Sequence, residues 1–252
     1  MKMIKKLSGL LLFTAILFTG CKEEGNLPPQ TEYANLIIYN GATGFLGDAD
    51  SAKAFVYIDT ANSPKDYPAI KLNYNYVYPG PFTGIPSPVQ YMAVKTGQRR
   101  LRFALPNNDK ITDHVFDMAD HTYQTAYLTD SLSYMNVLLT RDTLVRLEDK
   151  ARMRLINLSP DAGPVQLYLD TLAVTNLKSR GYKSVAEFVP VDRSDYAAIR
   201  IRSLKDETLR TLIRKSIPIR AGGSYTVILR GYMNPPDKDP NKSINLSVLI
   251  NQ

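Results

Sequence analysis

The sequence predicts an all-β protein made of two tandem antiparallel β-sandwich domains, of immunoglobulin-like or transthyretin-like type, behind a cleavable leader. Three observations predict this architecture: short β-type runs along the whole body, a series of runs that occurs twice, and an apolar segment near residue 1. Hydrophobic residues make up 44% of the 252 residues, which is enough to bury a core.

The leader has the pattern of a secretory signal. Three lysines among the first six residues precede an almost wholly apolar run at 7–18, which is too short to span a bilayer permanently. The sequence Phe18-Thr19-Gly20-Cys21 then resembles the lipobox of bacterial lipoproteins, with Phe18 where leucine is usual. We therefore predict a signal peptide at 1–20, lipidation of Cys21 and a tether at 21–32.

The tether begins with a second localisation signal. Lys22-Glu23-Glu24 resembles the export signal of cell-surface lipoproteins in some Gram-negative bacteria; its alternative interpretation is a solvated start to the tether. Together with lipidation, which anchors a protein in membrane lipid, this pattern predicts an outer-membrane protein exposed on the cell surface. The remaining alternative is a body that faces the periplasm.

The body contains β-type runs with turn residues between them, and five blocks of these runs occur twice in the same order. The paired blocks are 34–40 with 151–157, 56–59 with 167–170, 91–94 and 101–103 with 188–191 and 199–201, 119–123 with 221–225, and 135–137 with 244–246. The repeat predicts β-sandwich domains at 33–146 and 147–252, with Tyr123 and Tyr225 in equivalent places.

The second repeat also carries a family resemblance. It opens with ARMRLINLSPDAGPV at 151–165, continues with LYLD at 167–170, and later contains FVPV at 188–191 and AGGSYTV at 221–227. These blocks resemble the domain-of-unknown-function family 4397, of which the first repeat is a divergent copy. The resemblance implies a β fold in a secreted or lipid-anchored bacterial protein, and it supplies no catalytic residue.

A tyrosine-rich segment is the best candidate for ligand binding. Tyr74, Tyr76 and Tyr78 alternate with other residues, which predicts a strand with the three rings on one face. A stiff loop at 79–88 follows and contains Phe82. We predict that these four aromatic residues bind a glycan, a peptide or an outer-membrane protein. The alternative is that the tyrosines pack between sheets.

One cluster has the residue types of a metal site. It contains Asp113, His114, Asp117, Asp120 and His121. The repeat places Asp120-His121 opposite Gly222-Gly223, which favours a solvated hairpin turn over a metal site.

Two further loops could be either functional sites or structural turns. Asp237 and Asp239 alternate as calcium ligands do, but Lys242 stands where a calcium loop needs glycine, so a stiff hairpin loop is favoured. Ser159 has no histidine in its half of the chain to act as a base, so its Ser-Pro-Asp-Ala segment is interpreted as a turn in which Asp161 binds backbone N–H groups.

Composition excludes several classes of function. A single cysteine rules out intramolecular disulfides and cysteine-based metal centres, and we expect no metal or other cofactor. The net charge of +7 includes three leader lysines, and the excess that remains is too small to indicate nucleic acid. Basic strand residues occur in both repeats, which indicates solvent-facing positions and not one anion groove. These residues are Arg99, Arg100, Arg102, Arg200, Arg202, Arg210 and Arg214.

The function predicted from these observations is non-catalytic. We expect a lipid-anchored binding or scaffolding protein of the outer membrane, because no arrangement of nucleophile, histidine and acid is recognisable. A purely structural spacer is the nearest alternative, and a carboxylate-based glycan-active enzyme is a more distant one.

Overall fold

The computed structural model describes residues 32–45, 53–59, 70–80, 88–105, 110–131, 134–205 and 210–251. Apart from two 3₁₀ turns, at Thr43–Phe45 and Pro240–Lys242, every regular element in those residues is a β-strand, which confirms the all-β prediction. Within the same residues, no helix has the length and apolar character that crossing a bilayer requires.

The strands of the described residues are short, and they fall into two series of nine. The first series is β1 (Tyr33–Asn40), β2 (Ala54–Ile58), β3 (Ile70–Leu72), β4 (Val77–Tyr78), β5 (Met92–Lys95), β6 (Gly97–Ala104), β7 (Lys110–Met118), β8 (Tyr123–Ser131) and β9 (Tyr134–Arg141). The second series is β10 (Lys150–Asn157), β11 (Val165–Leu169), β12 (Leu172–Ser179), β13 (Ser184–Val185), β14 (Val189–Asp192), β15 (Ser194–Ser203), β16 (Thr211–Ile219), β17 (Ser224–Arg230) and β18 (Asn245–Asn251).

The strands form four sheets, two from each series. The first series gives a sheet of order β4-β1-β8-β9, with β5 also paired to β1, and a sheet of order β3-β2-β6-β7. The second series gives β13-β10-β17-β18, with β14 also paired to β10, and β12-β11-β15-β16. Strand by strand the two orders are the same, and the prediction of tandem sandwiches is confirmed. Pairing is antiparallel except that β1–β8 and β10–β17 are parallel.

The pairing register tests the proposed repeat residue by residue. Tyr57 faces Arg102 across β2–β6, and Tyr168 faces Arg200 across β11–β15. These are the equivalences that the blocks predict, and the registers of β5 with β14 and of β9 with β18 agree in the same way.

One block is displaced by a residue. Asn35 pairs with Tyr123, whereas its equivalent Arg152 pairs with Ser224. The predicted equivalence of Tyr123 and Tyr225 is therefore wrong: Tyr123 corresponds to Ser224. Because strand side chains alternate between faces, this shift of one residue places the two tyrosines on opposite faces of their sheets.

Each sandwich has its own core, and a third core lies between the sandwiches. Within β1, Leu36 and Ile38 face the first core, while Ile37 and Tyr39 face the second sandwich. The third core is the junction, and its buried members are Ile37, Tyr39, Val77, Val89, Tyr127, Ile156, Leu158, Ile228 and Leu249. The residues Glu32–Gln252 consequently form one compact unit. The predicted domain limits at 146 and 147 stay a prediction.

Candidate binding surface and the junction beside it

The tyrosine-rich segment is not one continuous strand. Only Val77–Tyr78 is a strand, while Tyr74 and Asn75 form a turn in which Asn75 has a φ of +63°. A left-handed residue interrupts the strand alternation. Tyr74 is therefore buried, at 8% exposure, whereas Tyr76 and Tyr78 are 36% and 39% exposed. The prediction that the three rings share one face is wrong.

Tyr74 packs with the first core, and together with its neighbour Asn75 it contacts residues of the second sandwich. Arg230 of the second sandwich donates to the hydroxyl of Tyr74, and its guanidinium carbon lies 4.7 Å from the centre of that ring. Ser247 donates to Oδ1 of Asn75, and the Tyr39 hydroxyl lies 3.0 Å from both side-chain oxygens. Ser247 Oγ also accepts from Arg230 Nε at 2.8 Å. These contacts hold the turn between the two sandwiches, as the structural alternative for Tyr74 expected.

A buried ion pair lies elsewhere in the same junction. The side chains of Arg154 and Asp142 are 2% and 0% exposed, and Arg154 Nη2 donates to Asp142 Oδ1. Arg154 also donates to the Thr226 hydroxyl at 2.9 Å and to the Tyr127 hydroxyl at 3.0 Å, while Asp142 accepts from Tyr91 at 2.9 Å. Both charges are thus paired and hydrogen-bonded, as buried charges require.

Burial between the sandwiches also changes the pKa of several tyrosines and of Arg154. It raises the pKa of Tyr127 to about 12, and it raises the pKa of Tyr39 and of Tyr91 above the ordinary tyrosine value. Burial alone lowers the pKa of Arg154, but the facing Tyr127 and Asp142 outweigh it and the net pKa is raised. At neutral pH the tyrosines are therefore uncharged and the arginine is charged.

Sequence reasoning missed Arg154 and Arg230. Only Arg230 carries a signal, because it directly follows the apolar run at 227–229. Arg154 alternates with apolar residues in the pattern K-A-R-M-R-L at 150–155, which is typical of a strand with one solvent-facing side. A charged residue in a strand that is buried on both faces needs a specific partner. The identity of that partner depends on how the other sandwich packs against the strand.

The exposed tyrosines lie at one end of the first sandwich. The chain enters β1 at Tyr33 and leaves it at Asn40, whose N–H donates to the carbonyl oxygen of Tyr76 at 2.9 Å. Tyr78 pairs with Ile38 near the same end. Seven steps along a strand cover roughly 23 Å. We call this end of the sandwich the Asn40 end. The tether precedes Tyr33, at the opposite end. Phe82 and Cys21 lie outside the described residues.

A groove is present near the start of β17. Its volume is about 630 Å³, and its lining includes Pro88, the apolar linker residue Val145, and the side chains of Arg146 and Arg220. The size is within the range of small-ligand sites. Neither Tyr76 nor Tyr78 lines this groove, so the surface that these two tyrosines form is separate from the groove.

The histidine cluster is divided between a strand and a turn. His114 lies in β7, whereas Asp120 and His121 form the turn that follows, with the His121 side chain 92% exposed. The prediction of a polar turn there is confirmed. His121 has a φ of +54° and Gly222 one of +78°, and each donates its N–H to the first residue of the neighbouring sheet strand. In the described part of the chain, no group of three or more His, Cys, Asp or Glu side chains could hold a metal ion.

The Ser-Pro-Asp-Ala turn has the predicted structural form. Asp161 accepts from the N–H groups of Met233 and Asn234 at 2.7 and 2.8 Å, and Ser159 is fully buried beside it. Asp161 binds backbone N–H groups as expected, although they belong to the loop after β17 and not to its own turn. The motif therefore fastens the β17–β18 loop to the start of the sandwich.

The hairpin loop predicted around Asp237 and Asp239 is confirmed, and it connects β17 to β18. Asp239 accepts from the N–H of Asn241 at 2.9 Å and begins the 3₁₀ turn, and Lys242 donates to Asp237. The two aspartates in this loop thus have a lysine and a backbone N–H as partners.

A comparison with known protein families bears on this fold. The model of the family described as "Domain of unknown function (DUF4397)" matches residues 84–168. The predicted resemblance is confirmed over those residues. They run from just before β5 to β11 and contain the Ser-Pro-Asp-Ala turn. No curated protein matches the chain.

One solved structure has a weak similarity to the chain. It is described as a "putative cell adhesion protein" from Bacteroides eggerthii, and it has 12% sequence identity over 88% of this chain and 98% of the other. The TM-score is 0.24. A similarity at this level carries no argument about the function of this chain.

Proposed function

We propose that this chain is a lipid-anchored, non-catalytic binding or scaffolding protein of the bacterial outer membrane, with its body on the cell surface. The observation that carries the proposal is the position of Tyr76 and Tyr78, which are exposed at the Asn40 end, whereas the tether enters at Tyr33. A body anchored through Cys21 would keep these rings at the end that the tether does not enter.

The chemistry of the two rings suits a glycan or a peptide. A tyrosine offers a large amphipathic contact area and loses little conformational entropy when it becomes ordered. Tyr78 lies on β4 at the edge of its sheet, where a ligand can approach. Phe82, four residues further along, is proposed to belong to the same surface.

The anchor is tested by metabolic labelling with a fatty-acid analogue. The wild-type chain should be labelled, and Cys21→Ala should not be, because Cys21 is the only thiol available for lipidation. Equal labelling of both would contradict the anchor. Protease added to intact cells should then remove the body, and full protection would place it in the periplasm.

The binding surface is tested with the purified chain from residue 22, which contains every described strand, against immobilised glycans, peptides and outer-membrane extracts. Tyr76→Ala combined with Tyr78→Ala should weaken binding of any ligand found by roughly tenfold, as expected for removing two aromatic contacts. Tyr196→Ala, which removes a 71% exposed ring from β15, is the matched control and should bind like the wild type.

A structural spacer is the second candidate, and the buried junction favours it. Two sandwiches that share a core with a buried ion pair form a stiff unit, which suits a protein that holds another component away from the membrane. If no ligand is found, or if the double tyrosine variant binds unchanged, the spacer is preferred. Turnover of a glycoside by the purified chain would contradict both candidates.

A further inference from the structure

Three arginines meet on the outer face of the sheet β12-β11-β15-β16. In β15 the core residues Ile199 and Ile201 face inward, so Arg200 and Arg202 face outward. Across the β15–β16 pair, Arg214 stands directly opposite Arg200. Like charges in directly opposed positions destabilise a sheet unless something neutralises them. We call this group of three residues the arginine face.

The first sandwich provides an internal comparison. The residue equivalent to Arg200 is Arg102, and the residue opposite it on β7 is Asp113. Arg100 Nε also lies 3.5 Å from Asp113 Oδ1. The two sandwiches therefore differ at one equivalent position. In the first sandwich Arg102 is opposite an aspartate, whereas in the second sandwich Arg200 is opposite another arginine, Arg214.

The arginine face has unused hydrogen-bonding capacity. The Nε atoms of Arg200 and Arg202 are buried and make no hydrogen bond, and no carboxylate of the described residues forms an ion pair with any of the three arginines. The guanidinium carbon of Arg202 lies 4.4 Å from the centre of the Tyr168 ring, which holds that side chain against the sheet. Asp170, at the end of β11, is already engaged by the N–H of Ala198 at 3.0 Å.

We propose that the arginine face binds an acidic polysaccharide. The Cα positions that carry its side chains are about 5 Å apart across the strands and about 7 Å apart along them, on the outer face of the sheet. Guanidinium groups match carboxylate and sulfate oxygens with paired hydrogen bonds. A chain that presents repeated anionic groups therefore complements this face better than a single small anion does. The face is separate from Tyr76 and Tyr78, so the proposal is independent of the proposed function.

The test uses the chain from residue 22 and heparin as the probe. The wild type should bind heparin, and added salt should weaken the binding because the contact is electrostatic. Arg214→Asp restores the arrangement of the first sandwich and should weaken binding by roughly tenfold or more, because it removes a charge-assisted contact and neutralises Arg200. Lys238→Asp changes the net charge equally on the β17–β18 loop, outside the arginine face, and is the matched control, for which we expect a change within about twofold.

Several outcomes would overturn the proposal. They are equal losses in the two variants, absence of heparin binding by the wild type, and tighter binding of duplex DNA or of anionic lipid vesicles than of heparin. Circular dichroism should confirm that both variants are folded. Should Arg214→Asp unfold, Arg214→Gln provides the same test with a smaller expected loss, because it removes one cation without adding an anion. Unchanged binding by a folded Arg214→Gln would also overturn the proposal.

Discussion

Arg154 and Asp142 come from different sandwiches, and each would be an uncompensated buried charge without the other. Such a pair adds little stability compared with a well-packed apolar pair, but the loss of one partner is costly because the remaining charge cannot reach water. The pair therefore specifies how the two sandwiches pack together more than it adds to the free energy of unfolding. It tolerates only the arrangement in which both groups are satisfied.

Asp142→Asn should lower the free energy of unfolding by about 3 kcal/mol or more, because it leaves the Arg154 charge buried without a counter-charge. Asp59→Asn is the matched control. Asp59 pairs with Arg99 at side-chain exposures of 41% and 21%, so its loss should cost less than about 1 kcal/mol. Urea denaturation followed by circular dichroism measures both values. Equal costs would contradict the structural role of the buried pair.

Tyr74→Phe should destabilise the protein by about 1–2 kcal/mol, because Arg230 loses the hydroxyl to which it donates while it stays buried. Tyr78→Phe removes a hydroxyl from an exposed ring and should change stability by less than about 0.5 kcal/mol. The same denaturation experiment compares them. If the two variants lose the same stability, the Tyr74 hydroxyl is not the buried partner of Arg230 described above.

Buried tyrosines predict the alkaline limit of stability. Burial raises the pKa of Tyr127 from the ordinary 10.0 to about 12, so between these values the unfolded chain loses a proton that the folded chain keeps. Stability should therefore be complete below the lower value and fall as the pH rises towards the upper one. Tyr127→Phe should flatten this fall. Tyrosinate absorbance during an alkaline titration would contradict the prediction if every tyrosine ionised in one step while the protein stayed folded.

At the scale of elements, the parallel pairs β1–β8 and β10–β17 are the centre of the molecule. Parallel neighbours need a connection that leaves the sheet, and here that connection contains the strands of the opposite sheet. These central strands are covered on one side by their own sandwich core and on the other by the junction. They consequently have apolar residues on both faces, as strands do in sheets that are covered on both sides.

Ile37→Ala tests the burial of both faces of β1. The variant should lose about 2–5 kcal/mol of stability, a loss similar to that of Leu36→Ala, because both side chains are fully buried, one in the junction and the other in the first core. Val115→Ala removes a side chain that is 46% exposed on β7 and should cost less than about 1 kcal/mol. A loss for Ile37→Ala as small as that of Val115→Ala would mean that the junction face of β1 is not buried in solution.

At the scale of the whole molecule, the two sandwiches are expected to unfold together. The junction contains nine buried apolar or aromatic residues from both halves, so separating the halves would expose this surface to water, at a cost in proportion to its area. The intact chain should therefore show one cooperative urea transition. Residues 33–146 expressed alone should bind a hydrophobic dye at the exposed junction face, and two separate transitions in the intact chain would contradict this expectation.

Much of the fold follows from local pattern. Alternating apolar residues between turn residues predict the strands, and two copies of one series predict two sandwiches with the same strand order. The block at 119–123 is displaced by one residue because the identical residues Tyr123 and Tyr225 suggest an equivalence, whereas the hydrogen-bond register makes Tyr123 equivalent to Ser224. Register depends on the partner strand, and a single sequence does not contain that pairing.

The candidate site was predicted less well, for a related reason. Alternation placed Tyr74, Tyr76 and Tyr78 on one face, but the left-handed Asn75 sends Tyr74 to Arg230 and leaves the other two exposed. Whether a short β-type segment contains a turn depends on the residues that the turn contacts. Here Tyr74 contacts Arg230, which is 156 residues away in sequence. The ligand-binding role of the exposed tyrosines, like the lipidation of Cys21 and the role of Phe82, stays a prediction.

The amino-acid sequence alone indicates that the body is all-β, that one series of strands occurs in two copies, and that the leader has the pattern of a lipoprotein. The tertiary structure is needed to show which outer face of each sandwich is buried, that Arg154 and Arg230 are buried between the sandwiches, and that Arg200, Arg202 and Arg214 share one face without a carboxylate partner among the described residues. The physical reason is that the period of a strand specifies which residues point the same way. Which residues pack against that face of the strand depends on contacts between segments that are distant in sequence, and these contacts form only when the chain folds.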